Sequence, residues 1–343
     1  MTMEMQRRTT AAALLLVAAL IPPLAGAGDR KAYCSDTAKA MFRACGGEIE
    51  DDYWQAAALC INVADGAERR RCGDEAKIAR EEGAQLCRDQ RESRRGACTR
   101  LGEGRYDPTL LPTMFRGDYT SATGLNRYFP LKVGNRWEYV GTAETSSSEV
   151  LSARKLIEGV SCIVLRDTVL VNGELHEDTD DWYAQAKDGN VWYFGEEVKD
   201  YETFDGDVPR APELTRIDGS FKVGRNRAKA GIIFPSNPSV GSLIREEFSL
   251  GNAEDVSDVL STTYSPGSDP VLDHLVPTAL ATLLCNHDCV VTKNTNLREP
   301  GAFALKYYAP GIGFFLEASP SSGNILQLTS CNMDPRCASL PRP

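Results

Sequence analysis

The sequence predicts an α+β protein: an N-terminal helical hairpin stapled by disulfides, followed by a large antiparallel curved β-sheet or barrel. Six cysteines lie in an Ala-, Glu- and Arg-rich segment typical of helices, and the chain that follows alternates strand-like runs with tight-turn dipeptides. The predicted divisions are a signal peptide at 1–27, a cysteine-rich helical domain at 28–102, a linker at 103–126, an antiparallel β domain at 127–332 and a C-terminal tail at 333–343.

The N-terminal segment has the features of a secretory signal peptide. Arg7 and Arg8 precede an apolar run, and Ala25-Gly26-Ala27 forms a small-residue cleavage site. Two prolines interrupt the run, which is shorter than the roughly 20 residues that a membrane-spanning helix needs. We therefore expect an exported protein, periplasmic or extracellular, without a membrane span.

The composition argues against a nucleic-acid partner. The chain has 48 Asp and Glu against 38 Lys and Arg, a net charge of −10, and phosphate backbones repel such a surface. It contains no P-loop, dinucleotide-binding, G-x-S-x-G or H-E-x-x-H motif. We therefore predict a protein that uses no cofactor and is not an enzyme.

The six cysteines of the helical segment are spaced symmetrically, with 10, 14, 11, 14 and 10 residues between them. Cysteines eleven positions apart lie on one face of a helix, because eleven residues make about three turns. If the helices are antiparallel, the disulfides between them are nested. A metal cluster is less favoured, because the compartment is oxidising and the segment has no C-x-x-C. The nested pairs are Cys34–Cys98, Cys45–Cys87 and Cys60–Cys72; the main alternative joins Cys45 to Cys60 and Cys72 to Cys87.

Capping and turn residues predict three helices in this segment. Ser35 is a plausible N-cap for the first helix, which we expect to stop at Gly46. Asp51 opens the second helix and Asp65 ends it, and the third helix covers residues 74–99.

Tight-turn dipeptides predict successive hairpins in the β domain. These dipeptides are Glu158-Gly159, Asn172-Gly173 and Asp188-Gly189. Further strands are expected near residues 135–142, 219–223, 243–250, 288–293, 304–309, 314–318 and 325–329. About ten antiparallel strands favour a strongly curved sheet or barrel, which limits exposed edges.

Residues 128–139, YFPLKVGNRWEY, resemble the opening strand of the β domain in a group of uncharacterised secreted bacterial proteins, with the pattern YFPL-x-x-G-x-x-W-x-Y. Residues 180–197, 231–241 and 297–317 resemble later landmarks of the same group. The architecture is also similar to half-barrel carriers of the lipoprotein-carrier (LolA-like) type. The resemblance implies a curved sheet and leaves the function open.

Five cysteines lie outside the helical segment. Cys162 and Cys289 occupy strand-like runs, so we predict a disulfide across the sheet between them. Cys331 and Cys337 are expected to close a small C-terminal loop, which leaves Cys285 as a free thiol. The CNHDC run at 285–289 offers mixed zinc ligands, but a second ligand group at suitable spacing is missing.

Two groups of residues are candidate ligand sites. His176, Asp178 and Asp180 share one face of a predicted strand and could hold a divalent cation; the alternative is a solvent-facing strand whose charges prevent edge pairing. Aromatic residues could line a cavity, or they could simply belong to the core. The principal aromatic candidates are Trp137, Trp182, Trp192 and Tyr307.

Two classes of function remain open. The preferred one is an exported, non-enzymatic binding or interaction protein whose partner is an unknown protein or an apolar small molecule held in the β domain. The alternative is a hydrolase of envelope polymers that uses Asp178, Asp180 or Asp181 as acid or base.

The signal-peptide prediction has a direct test. We expect the mature chain to begin at Gly28, because Ala25 and Ala27 occupy the small-residue positions of the cleavage site. N-terminal sequencing of protein recovered from the periplasm or medium checks the cleaved bond. A membrane-bound product that retains Met1 would contradict export as a soluble protein.

Overall fold

The N-terminal domain is a pair of long antiparallel helices. The computed structural model describes residues 31–343, so the predicted signal peptide lies outside the described residues. Helix α1 covers Tyr33–Ile61 and helix α2 covers Gly66–Leu101. The Asp65 carboxylate accepts hydrogen bonds from the first backbone N–H groups of α2, so this residue caps the second helix. None of the described helices is long and apolar enough to cross a membrane.

Two helices replace the three expected from the sequence. Helix α1 continues through Gly46, where we expected it to stop, although glycine costs a helix about 1 kcal/mol relative to alanine. The Cys45–Cys87 disulfide holds this point of α1 against α2. Ile49 also packs into the space left by Gly83, whose Cβ would lie 2.4 Å from the Ile49 side chain. Crosslinking and close packing therefore override the local stop signal.

The disulfides of the hairpin follow the predicted nested order. The paired Cα atoms are 5.6 to 5.7 Å apart, which is ordinary disulfide geometry. The bridges join Cys34 to Cys98, Cys45 to Cys87 and Cys60 to Cys72. Such crosslinks typically contribute about 2–4 kcal/mol each, and they stabilise a hairpin with very few buried apolar side chains of its own.

The β domain contains sixteen strands and two short helices. The strands are β1 (Arg136–Gly141), β2 (Glu144–Ile157), β3 (Val160–Val171), β4 (Glu174–Gln185), β5 (Val191–Glu197), β6 (Asp200–Glu202), β7 (Glu213–Arg216), β8 (Phe221–Lys222), β9 (Lys229–Phe234), β10 (Leu243–Arg245), β11 (Glu247–Phe248), β12 (Asp255–Tyr264), β13 (Cys289–Asn296), β14 (Ala304–Ala309), β15 (Gly313–Ser319) and β16 (Asn324–Cys331). Helices α3 (Pro270–Asp273) and α4 (Thr278–Leu284) lie between β12 and β13.

The strands form one antiparallel sheet that is nearly closed into a barrel. Its order is β10-β12-β13-β14-β15-β16-β1-β2-β3-β4-β5-β9-β11, with β6, β7 and β8 attached beside this path. The first and last strands of the domain, β1 and β16, are neighbours. The two ends of the path, β10 and β11, are consecutive in the chain, so the sheet's edges meet at one segment.

The segment 243–248 closes the sheet by pairing on both sides. Its first half pairs with β12 and its second half with β9. Between the halves, the Glu246 N–H donates to the Asp255 carbonyl at 3.0 Å. Gly231 makes the approach possible, because a Cβ there would lie 2.1 Å from the Glu246 carbonyl oxygen. We call residues 243–248 the closing segment.

The predicted tight turns join the expected strands. Glu158 and Gly159 both have positive φ, as do Asn172 and Gly173, which suits the two-residue turns of β-hairpins. Strand β1 covers Arg136–Gly141, in agreement with the strand expected near residues 135–142. The YFPL residues that precede it lie in a turn-rich stretch rather than in the strand, and Pro130 has no N–H to donate to a sheet.

The predicted linker is packed onto the β domain. Phe115 forms a bridge to Ala186 and joins an apolar cluster with Trp182 and Phe194 on the outer face of the sheet. Tyr119 is fully buried, and its hydroxyl accepts a hydrogen bond from the Gln185 N–H at 2.7 Å. The linker therefore covers apolar surface of the sheet that would otherwise be exposed to solvent.

A buried ion pair attaches the helical hairpin to the barrel. The Arg94 guanidinium of α2 donates to both carboxylate oxygens of Glu254 at 2.7 and 2.8 Å, and the two side chains are 5% and 2% exposed. Arg100 donates in the same way to Asp258 at the end of the helix. Removing one member of a buried pair leaves the other charge buried without a partner, which typically costs about 3–5 kcal/mol. The hairpin is therefore held at a fixed position on the sheet.

Sheet closure can be tested at Gly231. We expect Gly231→Ala to reduce the free energy of unfolding by about 2–3 kcal/mol, because the added methyl meets backbone atoms of the closing segment that cannot rotate away. Urea unfolding measures the loss. Gly117→Ala is the control, since a Cβ at Gly117 has no neighbour within 4 Å. Equal effects of the two substitutions would contradict the role of Gly231.

Candidate functional site

The barrel contains an interior cavity of about 280 Å³. Aromatic side chains from several strands and from the turn-rich stretch before β1 form much of its wall. They are Tyr128, Phe129, Trp137, Tyr139, Tyr183, Tyr308 and Phe314. An engineered cavity of about 150 Å³ can hold benzene, so this volume suits a small molecule of one or two rings.

Residues 128–131 close one part of this cavity. Tyr128, Phe129, Pro130 and Leu131 all line it, and Leu131 is fully buried. The Tyr128 hydroxyl donates to the Asp288 carbonyl at 2.7 Å, which ties the stretch to the loop before β13. The YFPL residues quoted for the resemblance therefore belong to the cavity wall rather than to a strand.

Charged side chains also line the cavity. Four are carboxylates and one is an amine: Asp167, Asp181, Glu246, Glu317 and Lys306. They reach the interior because alternate residues of a strand point to opposite faces of the sheet. The Lys306 amine lies 3.7 Å from the Glu317 carboxylate, and each side chain keeps 34% of its surface exposed. The cavity wall thus carries more acidic than basic groups.

Hydrogen bonds hold three of the carboxylates in place. The Asp167 carboxylate accepts from the hydroxyls of Ser146 at 3.1 Å and Ser148 at 2.8 Å. Both Glu246 oxygens accept from the Asn294 amide nitrogen at 3.0 and 3.1 Å.

The Asp181 carboxylate accepts from the Tyr193 hydroxyl. All these donors are neutral, so the hydrogen bonds orient the carboxylates without neutralising them.

Burial shifts the ionisation of these groups. It raises the pKa of Asp181 to about 7 despite the hydrogen bond from Tyr193, and it raises the pKa of Glu246 to about 7. Burial alone would lower the pKa of the Lys306 amine, but nearby negative charges, led by Glu317, raise it above its ordinary value. Near neutral pH, the amine is charged and the two carboxyls lie close to their titration midpoint.

More acidic groups lie around these cavity carboxylates. They share a raised pKa, and in each case burial is the main cause and neighbouring carboxylates add to it. These residues are Glu177, Glu196, Glu247 and Asp255. Repulsion among buried carboxylates therefore makes the interior favourable for a positively charged group.

The predicted cation site at His176, Asp178 and Asp180 does not form. His176 is exposed, while the Arg166 guanidinium donates to both oxygens of Asp178 at 2.8 Å and lies 3.7 Å from Asp180. Within residues 31–343, no group of three or more His, Cys, Asp or Glu residues is arranged to hold a metal ion. An arginine takes the place that a cation was expected to fill.

One of the four predicted aromatic residues lines the cavity. Trp137 does so, and its indole N–H donates to the Ile312 carbonyl at 2.7 Å. Trp182 lies in the apolar cluster on the outer face, and Trp192 faces a cleft beside the helical hairpin. Tyr307 packs against Tyr264 beneath α3.

The predicted Cys162–Cys289 disulfide is wrong. Cys289 pairs with Cys285, which we expected to be free, and Cys331 pairs with Cys337 as predicted. Cys162 is a buried free thiol in the outer apolar cluster, whereas Cys289 belongs to the main core. Burial raises the pKa of the Cys162 thiol to about 12, so it is poorly nucleophilic.

The candidate cation site lies on the wrong face of strand β4. It comprises residues 176, 178 and 180, whereas the cavity uses Asp181, which was predicted only as a possible acid or base of a hydrolase, and the adjoining acidic layer uses Glu177. Alternation shows that a strand has two faces but does not show which one is enclosed. The neighbouring aromatic residues gave no signal, because Tyr183 shares the face of Asp181 and Trp182 shares the face of Asp180.

Comparison of the chain with protein-family models, with curated proteins and with solved structures finds no match. The class of protein is therefore defined here by its architecture: a disulfide-stapled helical hairpin fixed to a nearly closed antiparallel barrel with an acidic, aromatic-lined cavity.

The buried carboxyls predict a dependence of stability on pH. The pKa of Asp181 is raised to about 7 from the ordinary value near 3.8, so the unfolded chain releases this proton first. Its stabilising contribution is complete below about pH 4 and is lost as pH rises to about 7. We expect the unfolding free energy of the wild type to decrease over this range.

Asp181→Asn removes this titration while retaining the shape of the side chain. Because one pKa unit corresponds to about 1.4 kcal/mol, we expect the decrease between pH 4 and pH 7 to be smaller in the variant by about 2 kcal/mol or more. Urea unfolding across this range measures it. Glu149→Gln, at an exposed position of β2, is the control. If the unfolding free energies of wild type and Asp181→Asn decrease equally with pH, the raised pKa of Asp181 is contradicted.

Proposed function

We propose that this is an exported, non-enzymatic binding protein whose barrel holds a small molecule with an apolar body and a basic amine. The observation that carries the proposal is the pairing of an aromatic wall with an excess of buried carboxylates around one cavity. Small-molecule sites are commonly concave, largely apolar and provided with a few convergent polar groups. Five disulfides support export, because such bonds persist in oxidising compartments.

The charge of the ligand follows from the charges of the cavity. Lys306 is already matched by Glu317, which leaves Asp167, Asp181 and Glu246 to face the ligand. An ammonium group would offset their mutual repulsion and donate hydrogen bonds to them. Aromatic faces also attract cations. A carboxylate ligand would meet like charges in the same cavity.

The helical hairpin provides a second contact surface. Its exposed apolar side chains include Trp54 at 65% and Ile61 at 75% exposure. Disulfides keep the hairpin rigid, and the Arg94–Glu254 ion pair keeps it in place. These features support a role in which the hairpin contacts a protein partner while the barrel holds the ligand.

The hydrolase alternative would now depend on Asp181. Asp178 and Asp180 lie on the outer face beside Arg166, whereas Asp181 lines the cavity. A carboxyl with a pKa of about 7 suits a general acid. Turnover that is lost in Asp181→Asn and retained in Asp178→Asn would favour this alternative over a binding protein.

Three probes of similar shape test the proposed ligand class. They are 2-phenylethylamine, 2-phenylethanol and 3-phenylpropionate, which differ in charge. We expect the amine to bind the disulfide-intact mature protein and raise its melting temperature, and the carboxylate to leave it unchanged. Calorimetric titration measures the affinities. Asp181→Asn combined with Glu246→Gln is expected to weaken amine binding at least tenfold, which equals about 1.4 kcal/mol.

Glu149→Gln is again the matched control and should bind the amine like the wild type, because Glu149 is exposed on β2. Solvent extraction of protein purified from its native host should release an amine-bearing apolar compound. Binding of all three probes with equal affinity would contradict the proposed charge selectivity, as would an unaltered affinity in the double variant.

A further inference from the structure

A second, larger cavity lies between the helical hairpin and the barrel. This cleft measures about 1250 Å³ and is separate from the barrel interior. The starts of α1 and the linker form one side, and β5, β9 and the closing segment form the other. Its apolar wall includes Leu110, Trp192, Val223, Ile232, Leu243 and Leu250.

Arg245 brings a cation into this apolar cleft. Its guanidinium carbon lies 4.9 Å from the ring centres of both Tyr106 and Phe248, which are 5.1 Å apart. The Tyr106 hydroxyl donates to the Ala230 carbonyl at 2.7 Å, so the linker ring is fixed in position. Two aromatic rings therefore hold the guanidinium at the cleft wall.

The Arg245 side chain has no carboxylate partner among residues 31–343. The Glu254 charge raises the pKa of Arg245 only by attraction at longer range. Its oxygens accept hydrogen bonds from Arg94 instead, at 2.7 and 2.8 Å. The nitrogens of Arg245 also donate no hydrogen bond within the described part of the chain, and they are not sealed off from the cleft. Burial lowers the pKa of this guanidinium, as expected for a cation that lacks a counter-ion.

Apart from Arg245, the lining of the cleft carries four cations and four acids, so these charges balance. Its acids are mostly paired: Asp107 with Lys229 at 2.6 Å, and Glu254 with Arg94. Arg105 and Arg227 add two further cations without a carboxylate partner, while Glu158 is the one acid of this wall that lacks a basic partner in residues 31–343. With Arg245 included, the lining of this apolar cleft carries one more cation than acid, although the whole chain has a net charge of −10.

We propose that this cleft binds an amphipathic organic anion, with the anionic group on the Arg245 guanidinium and the apolar chain along the wall beside Trp192. A guanidinium offers several N–H donors in a fixed fork that matches a carboxylate or phosphate. The cleft is large enough for a ligand of drug-like or lipid-like size. This site is distinct from the barrel cavity and prefers the opposite charge.

Dodecanoate, dodecylamine and dodecanol test the proposal, each below its critical micelle concentration. We expect the disulfide-intact mature protein to bind dodecanoate more tightly than the other two probes in calorimetric titration, with a change in tryptophan fluorescence that Trp192→Phe removes. Arg245→Met retains the contacts with Tyr106 and Phe248 but loses the charge, and we expect at least tenfold weaker binding of dodecanoate. The affinity of Arg245→Lys for dodecanoate should lie between those of the wild type and Arg245→Met.

Two controls separate this site from the barrel cavity. Arg136→Met removes an exposed guanidinium of β1 and should leave dodecanoate binding unchanged. The double variant of Asp181 and Glu246 should also leave it unchanged, whereas Arg245→Met should leave binding of 2-phenylethylamine unchanged. Failure of one probe set with success of the other would therefore identify which of the two proposals is wrong.

A second arm distinguishes the source of the anion. Vesicles with and without phosphatidylglycerol are sedimented with wild type and with Arg245→Met. Arg245-dependent sedimentation would assign the anion to a lipid headgroup, and Arg245-dependent binding of dodecanoate alone would assign it to a free amphiphile. Binding that is unaffected by Arg245→Met in both arms, or equal affinity for dodecanoate and dodecylamine, would overturn the proposal.

Discussion

Closure of the sheet by one short segment is the constraint on which both cavities depend. Residues 243–248 pair with β12 and β9 at once, and Gly231 leaves room for the Glu246 carbonyl. Alternation along this segment directs Arg245 to the outer cleft and Glu246 to the interior. One segment therefore closes the barrel and places a cation and a carboxylate on its two sides.

The ion pair between Arg94 and Glu254 gives the outer cleft its second wall. Burial of both charges is costly, and replacement by apolar residues is often neutral or stabilising in other proteins. Its structural effect here is positional: it fixes α2 against the start of β12. It also occupies the Glu254 carboxylate, whose charge acts on Arg245, and this leaves the Arg245 guanidinium without an ion-pair partner in the described residues. The Arg94–Glu254 ion pair therefore both fixes the hairpin and leaves Arg245 unpaired within residues 31–343.

Local patterns predicted the disulfide-stapled hairpin and the turns, since helical spacing and positive-φ dipeptides act over short distances. They could not predict the order of strands around the barrel. Cys162 and Cys289 both lie in strands, but five strands separate β3 from β13 in the sheet. Alternation likewise gave both faces of β4 and could not show that Asp181, rather than Asp178, is enclosed. Enclosure is a property of the closed sheet, which long-range pairing decides.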